Sequence, residues 1–141
     1  MLGLEPLLRA RLAEIPGLTG VYGAPDEVES GSARKVPPCL FVRWGGYHVI
    51  ERAHGHKSVR VDSRWHVVLV LHNNLDPADG SPARADAATL LDAVLAKLLG
   101  WRPGSGYGPL ALADEAKPPT YRAGVLRFPI AVTSQLVVSG S

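Results

Sequence analysis

Between Ser58 and His72 the chain alternates apolar and polar residues. Val59, Val61, Trp65, Val67, Leu69 and Leu71 hold six of the seven odd positions, while Arg60, Asp62, Arg64, His66 and His72 hold five of the seven even ones. Period two is the signature of a strand with one buried and one wet face. Val68 and Val70 make the second half apolar on both faces, which predicts that this end is central in the sheet or covered on both sides. Cys39 to Trp44 reads as another strand, with Leu40, Val42 and Trp44 on one face and Phe41 and Arg43 on the other. Gly45-Gly46 then predicts a turn or bulge. Tyr47 to Lys57 reads as a hairpin extension with its tip near Ala53-His54-Gly55-His56.

Two segments carry helical spacing instead. Leu4, Leu7, Leu8, Leu12 and Ile15 fall on one face of a short helix that Pro16-Gly17 stops. Pro82 to about Leu99 predicts a longer one, with Ser81 as N-cap, Gly100 as terminator and a stripe of Ala87, Leu90, Leu91, Val94, Leu95 and Leu98. Short strands are expected at Leu18–Gly23 and Leu110–Leu112, and a long one at Tyr121–Val138. Pro129 predicts that this last strand is at an edge or bulged. Residues 24–37, Asn73–Pro77, Trp101–Gly108 and Ala113–Pro119 read as loops. The expected fold is α+β: a single mixed, mostly antiparallel sheet, two helices packed on one face, and an extended β-hairpin.

Length and composition agree with one domain over 1–141. Of 141 residues, 46% are hydrophobic and 20% charged, near globular averages. The single cysteine, Cys39, excludes an internal disulfide framework and begins an apolar strand, so it reads as a buried structural residue. The N-terminus carries Glu5 and lacks a basic segment before an uninterrupted apolar run. Cytoplasmic residence is the expectation.

Candidate chemistry is sparse. His48, His54 and His56 lie within nine residues and could offer imidazoles to a metal from a hairpin. The competing reading is an exposed tip, and no CxxC or HExxH spacing supports the metal. No G-x-S-x-G elbow occurs. Gly104-Ser105-Gly106-Tyr107-Gly108 resembles a phosphate cradle but follows a helix and precedes a strand, the reverse of the needed context. The expectation is no catalytic residue, no bound metal and no cofactor.

Charge is more informative. Residues 34–66 hold seven basic and two acidic residues, a local net of +5, against −3 for the remainder. Such poles suit a subunit interface, and a basic face also suits DNA phosphates. The candidates for an interface, or for the lining of a lumen, are Arg43, Tyr47, Arg52, Lys57, Arg60, Arg64, Trp101 and Tyr107. The aromatic members are of the type that anchors interfaces.

The ordered pattern resembles a known family. An amphipathic N-terminal helix is followed by GVYGAPD, PPCLFVRWGG, VRVDSRWHVVLVLHNN, ARADAATLLDAVLAKLLGWRP and a closing GPLALADEAKPPTYRAGVLRFPIAVTSQLVV. Gly100-Trp101-Arg102-Pro103 with Gly108-Pro109-Leu110 is the most family-like string. Over nearly the whole chain this is similar to the tail terminator (tail completion) proteins of tailed bacteriophages, especially Mu-like phages and prophages. The resemblance implies a structural virion protein without a catalytic motif. It implies a homo-oligomeric ring, hexameric in the family, at the head-proximal end of the tail. Its implied partners are the tail tube protein and a head–tail connector or head completion protein. DNA would pass through the lumen without sequence-specific binding. The alternatives are another small head–tail joining or minor tail protein, a nucleic-acid binding module and, more remotely, a His-rich metal-binding enzyme.

Overall fold

The computed structural model describes residues 2–23, 38–72, 81–114, 116–122 and 124–140, with backbone alone for 81–87 and 122. In chain order the elements are α1 (Leu4–Leu12), β1 (Gly20–Gly23), β2 (Cys39–Ala53), β3 (Ser58–His72), α2 (Ser81–Leu98), β4 (Ala111–Leu112), β5 (Thr120–Arg122) and β6 (Val125–Ser139). They form one six-stranded sheet in the order β1-β2-β3-β6-β4, with β5 also paired to β6. β1 runs parallel to β2, and every other pairing is antiparallel. The α+β architecture expected from the sequence is the one observed. The expected loops at 24–37 and 73–77 lie outside the described residues.

Both helices pack on one sheet face. Leu4, Leu8 and Leu12 recur every four residues and are fully buried, and Ile15 completes the stripe. Leu7 departs from the expectation: it lies on the flank of the stripe and is 39% exposed. α1 also ends earlier than its apolar spacing suggests. Residues 14 and 15 bond back to Arg11 and Leu12, the tighter i→i−3 pattern that closes many helices. Val94 and Leu98 seat α2, and Gly100 follows it at φ +76°, in the left-handed region that glycine serves. The core face of the sheet contributes Leu40, Val42, Trp65, Val67, Leu69, Leu71, Ile130 and Val132. Its other face carries a smaller cluster of Cys39, Phe41, Val68 and Val70, flanked by Tyr22 and Val125. Of the two readings of Val68 and Val70, cover on both sides is therefore present, and Cys39 is buried.

The long C-terminal strand is divided. β5 and β6 form a hairpin with Arg122 opposite Val125, and Gly124 takes φ +77° in the tight turn. Pro129 neither bulges β6 nor puts the whole strand at an edge. β6 stays in register with β3 from Val125 to Ser139. On its other side β5 pairs through Arg127 and β4 begins at Val132, so Pro129 falls in the gap between them. A residue without an N–H is tolerated beside such a gap.

β2, β3 and β6 each have 15 residues, about 50 Å of strand at ~3.3 Å per residue. The helices cover one half. In β2 the residues 39–42 are buried and none from Arg43 to Ala53 is. The far halves of the three strands stand out as a projecting three-stranded blade.

Candidate functional site

The blade is shaped by two irregularities in β2. Trp44 pairs with Trp65 and Tyr47 with Ser63, so Gly45 and Gly46 together face the single residue Arg64. Val49 pairs with Val61 and Glu51 with Arg60, leaving Ile50 as a second extra residue. Gly46 takes φ +94° and makes the first bulge possible. Each bulge shifts the alternation, and the second brings Glu51 beside Arg60, with 3.6 Å between their charged groups.

On the helix-side face the blade displays aromatic surface. The rings of Trp44 and Tyr47 stack with centroids 6.3 Å apart and planes at 19°. Trp44 Nε1 donates to Ser63 Oγ at 3.1 Å, which fixes the indole over the strand pair. Trp44 is still 38% exposed and Tyr47 58% exposed. Val138, opposite Val59, is exposed on this face too; Val137, opposite Arg60, is exposed on the other, and the bulged Ile50 is also exposed.

The opposite face is polar. An open groove of about 570 Å³ is lined mainly by residues of this side, Gly45, His48, Asp62, Arg64, Ala113, Asp114 and Thr133, and also by Tyr47 and Leu112. Beside it, His66 lies against the bare backbone of Gly45, where a methyl group would come within 2.5 Å of Nε2. Burial pushes the His66 pKa below its ordinary value, and the positive charges of Arg43, Arg64 and Lys117 push in the same direction.

The candidates from sequence separate into three groups. Arg43, Tyr47, Arg52, Lys57, Arg60 and Arg64 all lie on the blade. Trp101 and Tyr107 do not join them: both are half-buried and pack on the domain's own core. The Arg11 guanidinium sits 5.3 Å from the Trp101 ring centre, and Tyr107 bridges to Leu136 at the outer edge of β6. His54 and His56 occupy the hairpin tip at φ +55° and +72°, while His48 lies on the blade opposite Asp62. Among the described residues no three His, Cys, Asp or Glu side chains come together as a metal site. The strand alternation puts Trp44 on the same face as Leu40 and Val42. Its parity is right, but the helices end short of it. The glycine pair that follows it is the available signal that the strand there leaves the core.

The polar groove and aromatic blade form an arrangement for contact rather than an enclosed reaction chamber. Comparison with known proteins gives the same direction. No curated protein matches the chain. A chain of a solved virion of a native gene transfer agent (GTA) particle has the same fold, with a TM-score of 0.55 and 18% identity. The match covers 96% of this chain and 95% of that one. The family profile described as "Phage tail terminator protein" matches residues 1–139. The resemblance read from the order of motifs is thus upheld over almost the full length, and the chain belongs to the phage tail terminator protein family.

Proposed function

We propose that this protein caps the head-proximal end of a phage tail tube as a hexameric ring, ends tube polymerisation and presents the surface that joins the filled head. The family match over residues 1–139 carries the reading. The blade supports it physically, because β2 beyond Val42 runs on for eleven residues without a buried side chain and displays the exposed Trp44 and Tyr47. The role is structural rather than catalytic. Its partners are further copies of itself, the tail tube protein and a head–tail connector or head completion protein. It assembles in the host cytoplasm and resides in the virion. The basic side chains Arg43, Arg60 and Arg64 face a subunit boundary or the lumen through which DNA passes.

A ring requires that one patch meet a different patch on the next subunit. Native mass spectrometry across a concentration series, with negative-stain images of the same sample, tests for closed hexamers. Capping of purified tube protein tests the role itself: added protein should halt elongation at one end. Tubes that keep growing at saturating protein would overturn the proposal. Reversing Arg60 and Arg64 to Glu should impair ring assembly or DNA passage, and intact rings with normal infectivity would remove those two residues from the site.

A further inference from the structure

α1 is apolar on the side that should face water. Leu2, Gly3, Pro6, Ala10 and Ala13 are exposed on the side away from the buried Leu4, Leu8 and Leu12, and Leu7 is 39% exposed on the flank between the two sides. A surface helix ordinarily carries its charges on the side away from the core. Here they are drawn back to the domain instead. Arg9 donates to the Val21 carbonyl at 3.2 Å, and Arg11 to the Lys97 carbonyl at 3.0 Å. Glu14 lies 3.8 Å from both Arg11 and Lys97. The outer face is left flat, small and uncharged, the kind of surface that marks a contact.

The blade offers a complementary shape. Its stacked Trp44 and Tyr47 rings are large, rigid and exposed, and Ile50 farther along the same strand is exposed as well. The free edge of β2 is a poor alternative means of association. Two bulges interrupt its backbone repeat, and such irregularity with flanking charges discourages strand addition. The blade is therefore suited to bind through its face.

We propose that the outer face of α1 in one copy receives the Trp44–Tyr47 face of the blade of a second copy. This rests on the ring reading above and names the two patches that would build it. Two observations favour a second copy of this chain as the occupant. The patches lie on different elements and do not overlap, so one copy can use both at once in a head-to-tail contact. The charges beside the patches are opposite: Glu5 flanks α1, Arg52 and Lys57 end the blade, and none of the three has an ion pair among the described residues.

Cross-linking in full-length protein tests the contact. Wild type is first brought to its oligomeric state, alone or on purified tube protein, as judged by native mass spectrometry. Ala10→Cys and Ile50→Cys are then made separately, since Cys39 is buried. A flexible bismaleimide should join the two variants when they are mixed and join neither to itself. The double variant should give a ladder ending at the ring size. Ala10→Glu should keep the wild-type melting curve and lose the oligomer, because Ala10 is exposed on the outer face of α1. Self-linking of Ile50→Cys would show blade meeting blade and overturn the proposal. Wild-type rings without the mixed product would overturn it while leaving the ring reading intact. A chain that never associates, even on tube ends, would overturn both.

Discussion

Gly45→Ala probes whether His66 is held in place by the absence of a side chain opposite it. A methyl group at residue 45 would lie 2.5 Å from His66 Nε2, 2.6 Å from Cδ2 and 3.3 Å from Arg64 Cγ. Comfortable contact begins near ~3.5 Å. The backbone at Gly45 does not itself need glycine; only the neighbouring Gly46 has a positive φ, +94°. Alanine in a strand is ordinarily better than glycine by about 0.5–1 kcal/mol. Against that gain, the imidazole must swing away or the strands must part, at about 1–3 kcal/mol. The net expectation is a loss of about 1–2 kcal/mol, or roughly 3–6 °C in melting temperature for a domain of this size. A second readout is more specific. Burial is the first cause of the lowered His66 pKa, so an imidazole displaced into water should titrate higher, towards its ordinary value. His66→Ala should erase the cost of Gly45→Ala and reveal the strand gain. Gly46→Ala is the control: it has open space but a left-handed backbone, so it should cost about 1–2 kcal/mol and leave His66 unchanged. Additivity of Gly45→Ala and His66→Ala within ~0.5 kcal/mol, with an unmoved His66 titration, would refute the reasoning.

Other expectations follow from single contacts. Leu8→Ala opens a hole under a fully buried side chain and should cost about 2–5 kcal/mol by chemical denaturation. Arg11→Ala removes both the bond to the Lys97 carbonyl and the ring contact with Trp101; about 1–2 kcal/mol should be lost, with a change in Trp fluorescence. Ser134→Ala leaves the Gly108 carbonyl without its 2.9 Å partner; the loss should be about 1 kcal/mol, with faster hydrogen exchange at Gly108. The folded His66 titrates below 6.5. The unfolded chain therefore takes up that proton first as pH falls. The His66 contribution is present above about pH 6.5, declines as pH falls towards the folded value and is flat below it. His66→Gln should remove that part of the slope in urea midpoints between neutral and acidic pH.

How much of this was legible in the sequence depends on the kind of signal. β3 was legible because its alternation has a single physical cause, one face on a core, and its odd positions from Val59 to Leu71 do share the helix-side face. α2 was legible from its stripe and from Gly100. Leu7 was misplaced because it lies close in angle to Leu4 and Leu8, and only the position of the neighbouring sheet decides which flank is covered. The β5–β6 turn was missed because Ala123-Gly124 is a weak turn dipeptide within a long apolar alternation. Trp101 and Tyr107 are candidates from sequence by residue type and by their loop, with packing on the domain's own core the commoner outcome for such residues, and they do pack there. Their burial comes from Arg11 and Leu136, which are distant in sequence. Sequence separated the basic middle from the rest, and the candidates in it do share one blade. It did not reveal Trp44 as an exposed residue, because strand parity reports which face a side chain takes and not how far the helices reach along it.

The reach of the helices is where fold and function meet. Stacked on the sheet, α1 and α2 cover one half of strands that are about 50 Å long. A monomer selected only for stability would shorten the strands or lengthen the helices, because the blade orders many residues at about 1–2 kcal/mol of backbone entropy each. The blade instead keeps its shape by internal devices: the Trp44 bond to Ser63, the stacked Tyr47 and the Glu51–Arg60 pair. These rigidify a surface before any partner arrives, which lowers the ordering cost of association. The bulges at Gly45-Gly46 and Ile50 do the complementary task of spoiling the open edge of β2, so that identical blades do not add strand to strand without limit. The proposed capping role calls for this combination, since a sticky edge would extend an array whereas a preformed face with a defined counterpart would close one.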